Sequence, residues 1–536
     1  MDTIPPTVIR TDPDTNAVRV DTRSVTLEFS KYVNRRTLEE SVFISPYVGD
    51  LEFEWSGREV TARWADSLRR NTTYVVTIGT DVADIRAGNR MASAFTLAFS
   101  TGDSIDRGYA AGRVYDDKPE GVMVFAYRLA GGRGDTLDPS HSKPDYITQT
   151  GKIGTFELSH LAFGTYRLIA VRDEYRDLLY EKQVDQYGVA TGDVVLNDSV
   201  PRINGIAFRL AKEDTTRPFL AGVRARDRYR ISVRFSEPID SASIGRARAV
   251  VVDTLTGMEV PVRLLYQERT QPSLAGVLTA APLDSPATYR VRVAGVADRS
   301  GNRIDFASPG ELIAGILLPD TLRPRITVRD MRDSVRGVAN DLPIEVLFSD
   351  PVAQPPLSNA AVGLFDSTRS VVEAPITWTG PASLALVPRA PLNSKAWYVV
   401  RVVMDSVRSL LGRGYRDSTF VLRFQTVDLR ATGTFSGVVE DLEGARGKGR
   451  VFVTATKVDG AGRNVSITLN SPGLFSFDHL AEGKYVLIAY RDADNSGNFS
   501  FGLPFPFTPA ERFVVSADTV RVRARWSVEG AVLKFR

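Results

Sequence analysis

Hydrophobic and polar residues alternate along most of this chain. Runs of Val, Ile, Thr, Tyr and Phe are interleaved with Arg, Asp and Ser, for example at residues 25–29, 74–78 and 289–293. Gly, Pro, Asn and Asp interrupt these runs at intervals of roughly ten residues. A period of two places successive side chains on opposite faces of a strand, so the pattern predicts short β-strands and is typical of β-sandwiches. Only residues 174–186 predict one or two helical turns.

A short phrase that begins with Asp-Thr and ends with Pro occurs three times. After each copy, an alternating strand ends in a Phe-Ser pair, at Phe29, Phe235 and Phe348. A repeat spaced by multiples of about a hundred residues indicates an array of similar domains rather than one large catalytic fold. The three copies of the phrase are residues 2–6, 214–218 and 320–324.

A second pattern occurs twice, at residues 154–173 and 473–492. It consists of Gly-x-Phe, a Leu and Gly-x-Tyr, followed by a hydrophobic strand that ends in Arg-Asp. We call a domain that begins with the Asp-Thr phrase a domain of the first type (A) and one with the Gly-x-Phe pattern a domain of the second type (B). The domains follow each other in the order A-B-A-A-B. This order predicts an all-β tandem array of five β-sandwich domains, each near the usual domain size. The predicted domains are residues 1–103 (domain one), 104–213 (domain two), 214–319 (domain three), 320–428 (domain four) and 429–536 (domain five).

The composition of the 536 residues is that of an ordinary globular protein, with 43% hydrophobic and 24% charged residues. The net charge is +3, and no run of Lys and Arg predicts a nucleic-acid groove, so no nucleic-acid partner is expected. The absence of cysteine excludes disulfides, thiolate metal sites and cysteine catalysis. No run of about eighteen apolar residues predicts a membrane-spanning helix.

The three histidines are the first candidates for catalysis or metal binding. His160 and His479 occupy equivalent positions of the second repeat, and His141 lies in domain two. Each of the equivalent pair is either a metal ligand or general base, or a turn residue that precedes a buried Leu. Isolated histidines make neither a zinc site nor a catalytic triad. The sequence also lacks a nucleotide-binding fingerprint and a nucleophile elbow, so no catalytic residues and no enzymatic activity are predicted.

A loop in domain five resembles the first half of a calcium loop. Asp492, Asp494 and Ser496 supply oxygen ligands at positions one, three and five, and a glycine follows at position six. Position twelve is not acidic, and Glu511 is a candidate replacement. The two interpretations are a calcium site and a polar hairpin turn. No other cofactor is predicted.

The loop that follows is dense in Phe and Pro. Because proline disfavours a central strand, this loop either buries itself across the end of a sandwich or presents a partner-binding patch. The candidate partner-binding residues are Phe499, Phe501, Phe505 and Phe507.

A tyrosine opens a late strand in each domain of the first type. Tyr74, Tyr289 and Tyr398 follow Ser, Asp or Asn residues that favour a tight turn. We expect each ring to pack in the core and each hydroxyl to form a hydrogen bond at the corner of its sandwich.

Domains of the first type resemble the SbsA-type bacterial Ig-like domain. The shared features are the Asp-x-x-x-Pro opening, the segment Phe-Ser-Glu-Pro-Ile-Asp at residues 235–240, and a Gly-Asn turn at residues 88–89 and 301–302. Domains of the second type resemble the carboxypeptidase-regulatory, prealbumin-like sandwich through Gly-x-Phe, Leu and Gly-x-Tyr. The domain order is similar to that of Ig-like-domain surface lipoproteins of Bacteroidota.

This resemblance implies a non-enzymatic structural or interaction protein of the cell envelope. In the family, a lipidated cysteine and a short linker precede the phrase found here at residues 2–6. The chain is therefore expected to be a mature form without its leader, located at the outer membrane or cell surface and attached only through the removed N-terminal lipid anchor. The implied partner is another envelope protein, such as an outer-membrane complex to which this chain is a scaffold or accessory subunit. The regulatory-type domains imply no peptidase.

The alternative function is that of a surface adhesin or glycan-binding protein. Sandwich loops carry ligand sites, and tryptophans offer stacking surfaces to sugars. Because the tryptophans are spread over several domains and mostly lie in strand patterns, core packing is the competing interpretation. They are Trp55, Trp64, Trp378, Trp397 and Trp526.

Overall fold

Almost every regular element of the computed structural model is a β-strand, which confirms the all-β array predicted from the alternation. Within the described residues, no helix has the length and apolarity required to cross a membrane. The opening residues Asp320, Thr321 and Leu322 of the third phrase lie outside the described part of the chain. The structure describes residues 2–129, 134, 136–268, 270–305, 309–317, 323–412, 414–442, 449–459 and 464–535.

Domain one is a sandwich of the sheets β1-β2-β5-β4 and β3-β6-β7, and its core contains residues of both, such as Phe29 and Val76. The single helical turn α1 begins after Asn34, whose side chain caps it by accepting from Thr37 N. Its elements are β1 (Val8–Asp12), β2 (Ser24–Phe29), α1 (Arg35–Glu39), β3 (Val42–Ser45), β4 (Glu52–Ser56), β5 (Glu59–Arg63), β6 (Thr73–Ile78) and β7 (Phe95–Ser100).

Domain two has the sheet order β10-β9-β12-β13-β16, in which β14 also pairs with β12, and a second sheet β11-β8-β15. The strand β15 runs parallel to β8. Its strands are β8 (Gly108–Tyr115), β9 (Met123–Arg128), β10 (Tyr146–Gln149), β11 (Thr155–Leu161), β12 (Gly164–Arg172), β13 (Gln186–Val189), β14 (Val194–Leu196), β15 (Arg202–Arg209) and β16 (Ala211–Lys212).

Domain three is built from the sheets β17-β18-β22-β21 and β20-β19-β23-β24. The short helix α2 begins after Asp240, whose carboxylate accepts from Ala242 N. Its elements are β17 (Leu220–Ala225), β18 (Arg230–Phe235), α2 (Ser241–Ile244), β19 (Arg248–Asp253), β20 (Glu259–Val260), β21 (Val262–Gln267), β22 (Leu274–Thr279), β23 (Thr288–Ala294) and β24 (Glu311–Ala314).

Domain four contains the sheets β25-β27-β31-β30 and β26-β33-β32-β28-β29, and 3-10 helices span Met404–Ser406 and Leu429–Ala431. Its strands are β25 (Ile326–Val328), β26 (Val335–Val338), β27 (Ile344–Phe348), β28 (Val362–Asp366), β29 (Val371–Val372), β30 (Ile376–Gly380), β31 (Ser383–Leu386), β32 (Trp397–Val403) and β33 (Thr419–Thr426).

Domain five repeats the topology of domain two. Its sheets are β37-β34-β41 and β36-β35-β38-β39, with β40 paired to β38, and the last strand β41 runs parallel to the first strand β34. The second internal repeat is therefore a repeat of strand order as well as of sequence. Its strands are β34 (Thr432–Asp441), β35 (Arg450–Lys457), β36 (Val465–Leu469), β37 (Leu474–Ala481), β38 (Gly483–Asp492), β39 (Phe513–Val515), β40 (Val520–Val522) and β41 (Ser527–Phe535).

The chain divides into two compact units. The first consists of Met1–Asp214 together with Thr434–Arg536, and the second is Thr215–Gly433. Domain five therefore groups with domains one and two, although domains three and four separate it from them along the chain.

The serine of each Phe-Ser pair ties the opening phrase to the strand that follows it. In all three domains of the first type, the serine hydroxyl accepts from the backbone N–H of the residue after the phrase, and the serine N–H donates to the carbonyl of that same residue. This exchange satisfies backbone groups where the chain enters the sheet. The hydroxyl bonds join Thr7 N to Ser30 Oγ (3.0 Å), Phe219 N to Ser236 Oγ (3.1 Å) and Arg325 N to Ser349 Oγ (2.9 Å).

The predicted tyrosine corners are confirmed. In each domain of the first type the buried tyrosine accepts, through its hydroxyl, from the backbone N–H five residues upstream. A local bond of fixed sequence spacing fixes the turn before the strand and also satisfies the polar end of a core ring. The bonds join Arg69 N to Tyr74 Oη (2.8 Å), Asp284 N to Tyr289 Oη (3.0 Å) and Asn393 N to Tyr398 Oη (2.8 Å).

Of the one or two helical turns predicted at residues 174–186, the structure contains a single i→i+4 bond, from Asp185 N to Glu181 O at 3.0 Å, and no helix. This stretch forms turns and bends, because its aspartates bond to backbone N–H groups that a helix would use. Asp173 accepts from Arg176 N at 2.6 Å and Leu178 N at 2.9 Å. Asp185 accepts from Glu174 N at 3.0 Å and from Glu181 N at 2.8 Å.

Candidate functional site

Three carboxylates converge where the loop after β38 returns to β39. Asp492 ends β38, Asp494 lies two residues on, and Glu511 stands just before β39; one oxygen of each lies within 4.8 Å of the others. Asp492 and Glu511 are buried and Asp494 is exposed. The structure therefore brings together two of the three predicted calcium ligands with the acid considered as a replacement. We call these three residues the acidic cluster.

Each carboxylate of the acidic cluster has a different environment. Asp492 Oδ2 accepts from Gly497 N at 3.2 Å and lies 3.8 Å from the Arg450 guanidinium, whereas its Oδ1 has no hydrogen-bond partner in the described part of the chain. Glu511 accepts from Ala493 N and Ser500 N, at 2.7 and 3.0 Å. Leaving one buried carboxylate oxygen unsatisfied costs about 1–3 kcal/mol.

Hydrogen bonds and burial shift the two outer carboxylates in opposite directions. Bonds from the Ser500 hydroxyl and from Ser496 lower the pKa of Asp494 to about 2. Burial raises the pKa of Glu511, and the nearby charge of Asp494 adds to that increase. Ser496, the third predicted ligand, holds Asp494 through its backbone N–H at 2.9 Å, and its hydroxyl bonds to Asn498 O at 2.9 Å. Its direct role as a ligand stays a prediction.

The aromatic loop, residues 499–507, packs against domain two of the same chain. All four of its phenylalanines are half-buried. Tyr187 donates its hydroxyl to Gly502 O at 2.8 Å, and Leu503 and Phe507 pack against the buried cluster of domain two that contains Phe125. The loop is thus buried against a sandwich, which was one of its two interpretations. Binding of a separate protein by these phenylalanines stays a prediction.

Arg209 is the centre of this contact. Its guanidinium lies over the rings of Phe499, Phe501 and Phe513, with the guanidinium carbon 4.6, 5.3 and 5.9 Å from the ring centroids. Phe499 also meets Phe501 and Phe513 edge to face, at 4.9 and 5.5 Å between centroids. Burial among the rings lowers the pKa of Arg209. A cation enclosed by π faces is stabilised by the ring quadrupoles.

A second arginine of domain two holds the far end of the aromatic loop. Arg167 is 5% exposed, forms a bidentate pair with Asp193 at 2.9 Å, and lies 3.6 Å from the ring centroid of Phe507. Neither Arg209 nor Arg167 was recognised from the sequence, because an isolated arginine in a strand carries no local signal of its partner. The contact depends on residues about three hundred positions away.

The three histidines, which were the other sequence candidates, lie in surroundings that suit a role in the fold. His160 and His479 adopt left-handed backbone conformations, with φ of 60° and 62°, and the leucines that follow them are buried. His160 lies in a β-bulge between β11 and β8, and burial lowers its pKa. His141 is exposed and pairs with Asp138 at 3.1 Å. Among the described residues, no histidine belongs to a group of three or more candidate metal ligands.

The domains within each compact unit are joined by buried polar contacts. In the first unit, Thr80 of domain one donates its hydroxyl to Thr150 O of domain two at 3.0 Å, and Gln149 donates to Asp81 at 3.0 Å. In the second unit, Arg230 of domain three pairs with Asp350 of domain four at 2.6 Å, and both side chains are buried. Asp350, which lies two residues after β27, therefore pairs with an arginine across the junction of domains three and four.

Four of the five tryptophans take part in packing or ring contacts. Trp64 is buried, and the other three contact Arg35, Phe348 or Arg336. Only Trp526 presents most of its surface, 66%, to solvent. Core packing thus accounts for most of the residues that suggested sugar stacking.

Comparison with known proteins identifies the first domain. Residues 2–101 match the family model described as a bacterial Ig-like domain. This match agrees with the first-type domain inferred from the opening phrase and the Phe-Ser pair. No curated protein matches the sequence.

Solved structures with detectable similarity have low scores. The N-terminal part of the bacterial S-layer protein SbsC is 16% identical, over 39% of this chain and 44% of that chain, with a TM-score of 0.17. SbsC domains 1–6 are 11% identical over 97% and 66% of the two chains, with a TM-score of 0.15. An L,D-transpeptidase from Mycobacterium smegmatis is 15% identical over 31% and 76%, also with a TM-score of 0.15. The chain spans less than half of the first of these structures, and none of the scores supports a functional inference.

Proposed function

We propose that this protein is a non-enzymatic structural and interaction protein of the bacterial cell envelope. It acts as a scaffold or accessory subunit of an envelope complex and is attached to the outer membrane by an N-terminal lipid. Its partner is another envelope protein. Support for the bacterial surface setting comes from the Ig-like domain match over residues 2–101 and from the resemblance of the domain order.

The observation that carries this proposal is the nature of the domain junctions. Arg230 and Asp350 form a buried ion pair between domains three and four. Arg209 of domain two lies over the ring of Phe499 in domain five. A buried charge is strongly destabilising when its partner is removed, so such junctions open only at substantial cost. Domains joined in this way hold their loops in a fixed relation to each other, which is the property that a scaffold requires.

The surroundings of the titratable residues also favour a non-enzymatic role. General acid–base catalysis requires a positioned acid and base within reach of a common substrate. Among the described residues, no histidine belongs to the acidic cluster, and His160 and His479 adopt positive φ angles. The carboxylates of the acidic cluster are held by backbone N–H groups of their own loop.

The proposal is tested by affinity purification of the full-length, lipidated protein from its native envelope, followed by quantitative mass spectrometry. We expect one outer-membrane protein to co-purify in stoichiometric amount. Absence of any stoichiometric protein would contradict the proposal. Retention of the protein on cell-surface polysaccharide, abolished by Trp526→Ala, would instead establish the adhesin or glycan-binding function.

Phe505 offers a sharper test of the predicted partner-binding patch. Within the described part of the chain its ring makes no aromatic or cation–π contact, in contrast to Phe499, Phe501 and Phe507. Phe505→Ser should reduce recovery of the partner while the contact between domains two and five persists, as measured by amide exchange. Tyr32→Ser, which alters an exposed aromatic of domain one, is the matched control.

A further inference from the structure

The acidic cluster is more than a group of nearby carboxylates, because one of its buried members, Asp492, has partners for one oxygen, Oδ2, but none among the described residues for the other. Asp492 is 0% exposed, and its Oδ1 has no hydrogen-bond partner among the described residues. The same side chain lies within 4.8 Å of Asp494 and Glu511 oxygens. Three carboxylates at this separation repel each other unless a positive charge lies between them.

We propose that Asp492, Asp494 and Glu511 bind one calcium ion, and that this ion fixes the aromatic loop for docking on domain two. Calcium takes six to eight oxygen ligands and tolerates irregular geometry, whereas magnesium requires a nearly ideal octahedron. The loop satisfies the calcium requirement with clustered carboxylates, two of them buried, and with Gly497 at φ +77°, which permits the sharp turn between ligands.

Glu511 takes the place of the acid that an ordinary calcium loop carries at position twelve. It lies beyond the aromatic loop in the sequence and returns to the acidic cluster because β39 pairs with β38. Ser500 N–H donates to Glu511 at 3.0 Å, and the Ser500 hydroxyl donates to Asp494. An ion held by Asp494 and Glu511 would therefore fasten both ends of the aromatic loop.

The linkage to docking follows from the position of Ser500. Its neighbours Phe499 and Phe501 are two of the rings that enclose Arg209 of domain two. A ligand that orders the base of the aromatic loop lowers the conformational entropy lost when these rings meet Arg209. Calcium binding and docking should therefore stabilise each other.

The equivalent loop of domain two provides an internal contrast. It also gathers three carboxylates, those of Asp173, Asp177 and Glu181. There, however, the carboxylate that is fully buried, Asp185, accepts from two backbone N–H groups. One oxygen of the domain-two group, Glu181 Oε2, also has no hydrogen-bond partner among the described residues, but all three of its carboxylates are half-buried, whereas Asp492 and Glu511 of domain five are buried.

Calcium titration of the full-length protein by isothermal calorimetry tests the proposal. We expect one saturable calcium site, with magnesium binding at least about tenfold more weakly. Asp494→Asn and Glu511→Gln should each weaken calcium binding by about tenfold or more, because affinity follows the number of charged ligands. Asp518→Asn, an equal charge change at an exposed position of domain five, should leave binding unchanged.

Amide exchange with and without calcium tests the coupling to docking. Calcium should protect the peptides that cover residues 499–513 in the wild type but not in Asp494→Asn, whose exposed side chain can be replaced without disturbing the core. Absence of saturable calcium binding by the wild type would overturn the proposal. So would unchanged binding in both ligand variants, or loss of binding on Asp173→Asn alone, which would place the site in domain two.

Discussion

Replacing Arg209 by Met should loosen domain five from domain two. Methionine keeps an unbranched apolar stem of similar reach but removes the guanidinium that lies over Phe499, Phe501 and Phe513. The nearest ring, that of Phe499, is 4.6 Å away, and burial already lowers the pKa of the cation. The site is therefore closer to the desolvated limit, in which a cation–π contact is strongest.

The expected effect is expressed as the coupling free energy between Arg209 and Phe499. A cation–π contact contributes about 0.5–1 kcal/mol when exposed and about 2 kcal/mol when desolvated, so we expect a coupling of about 1–2 kcal/mol. A double-mutant cycle with Arg209→Met and Phe499→Leu isolates this coupling, since the desolvation of each group largely cancels. The expected coupling corresponds to a factor of about 5–30 in the equilibrium for opening of the contact.

Amide hydrogen exchange of the full chain, read at residues 499–513, measures that opening equilibrium. Arg202→Met is the matched control, because Arg202 lies 4.0 Å from the Tyr109 ring within domain two and is exposed. The control should leave exchange at the aromatic loop unchanged. Additive effects of Arg209→Met and Phe499→Leu, or unchanged exchange in Arg209→Met, would refute the cation–π account of docking.

Three further predictions concern single side chains. Tyr398→Phe removes the acceptor of the part-buried hydrogen bond from Asn393 N and should lower the stability of domain four by about 0.5–1.5 kcal/mol in denaturant titrations, while Tyr32→Phe, at an exposed ring, should have no effect. Burial, with hydrogen bonds to neighbouring aspartates, raises the pKa of Glu181 from 4.5 to about 7, so the folded state binds its proton more tightly than the unfolded state. The stability of domain two should therefore fall as pH rises from about 4.5 to about 7 and stay level above that, and Glu181→Gln should flatten this part of the pH–melting profile. His160→Asn and His479→Asn should be tolerated because asparagine accepts positive φ, whereas the Val variants should lose about 1–2 kcal/mol in thermal melts; inactivation by the Asn variants would indicate a chemical role instead.

Features that depend on short sequence distances were predictable. Tyr289 bonds to a residue five positions upstream, so its turn and its strand lie in one readable segment. The Phe-Ser repeat likewise predicted the end of β18, although the bond from Phe219 N that explains the serine required the structure. In contrast, residues 174–186 were assigned helical turns because their periodicity hides the competition between aspartate side chains and a helical backbone.

The candidate site was predictable only in its first half. Asp492 and Asp494 are separated by two positions and form a recognisable local pattern. Glu511 joins them only after the chain crosses the aromatic loop and returns as β39, and Arg209 joins from another domain. No sequence period specifies which sandwich surface meets which loop, so the docking of domain five on domain two had to come from the fold.

The contact between domains two and five has a consequence for how the molecule is made. The hydrogen bond from Tyr187 to Gly502 spans 315 residues of sequence. At synthesis rates of about 5–20 residues per second, a nascent chain waits roughly 15–60 seconds between these two positions. Throughout that interval Arg209 and the apolar surface that receives Phe507 are uncovered, and in a chain truncated before the aromatic loop they remain so. The segment that hides this surface is therefore synthesised long after the surface itself, so a protease or chaperone that recognises the surface would distinguish chains that lack the aromatic loop from chains that contain it.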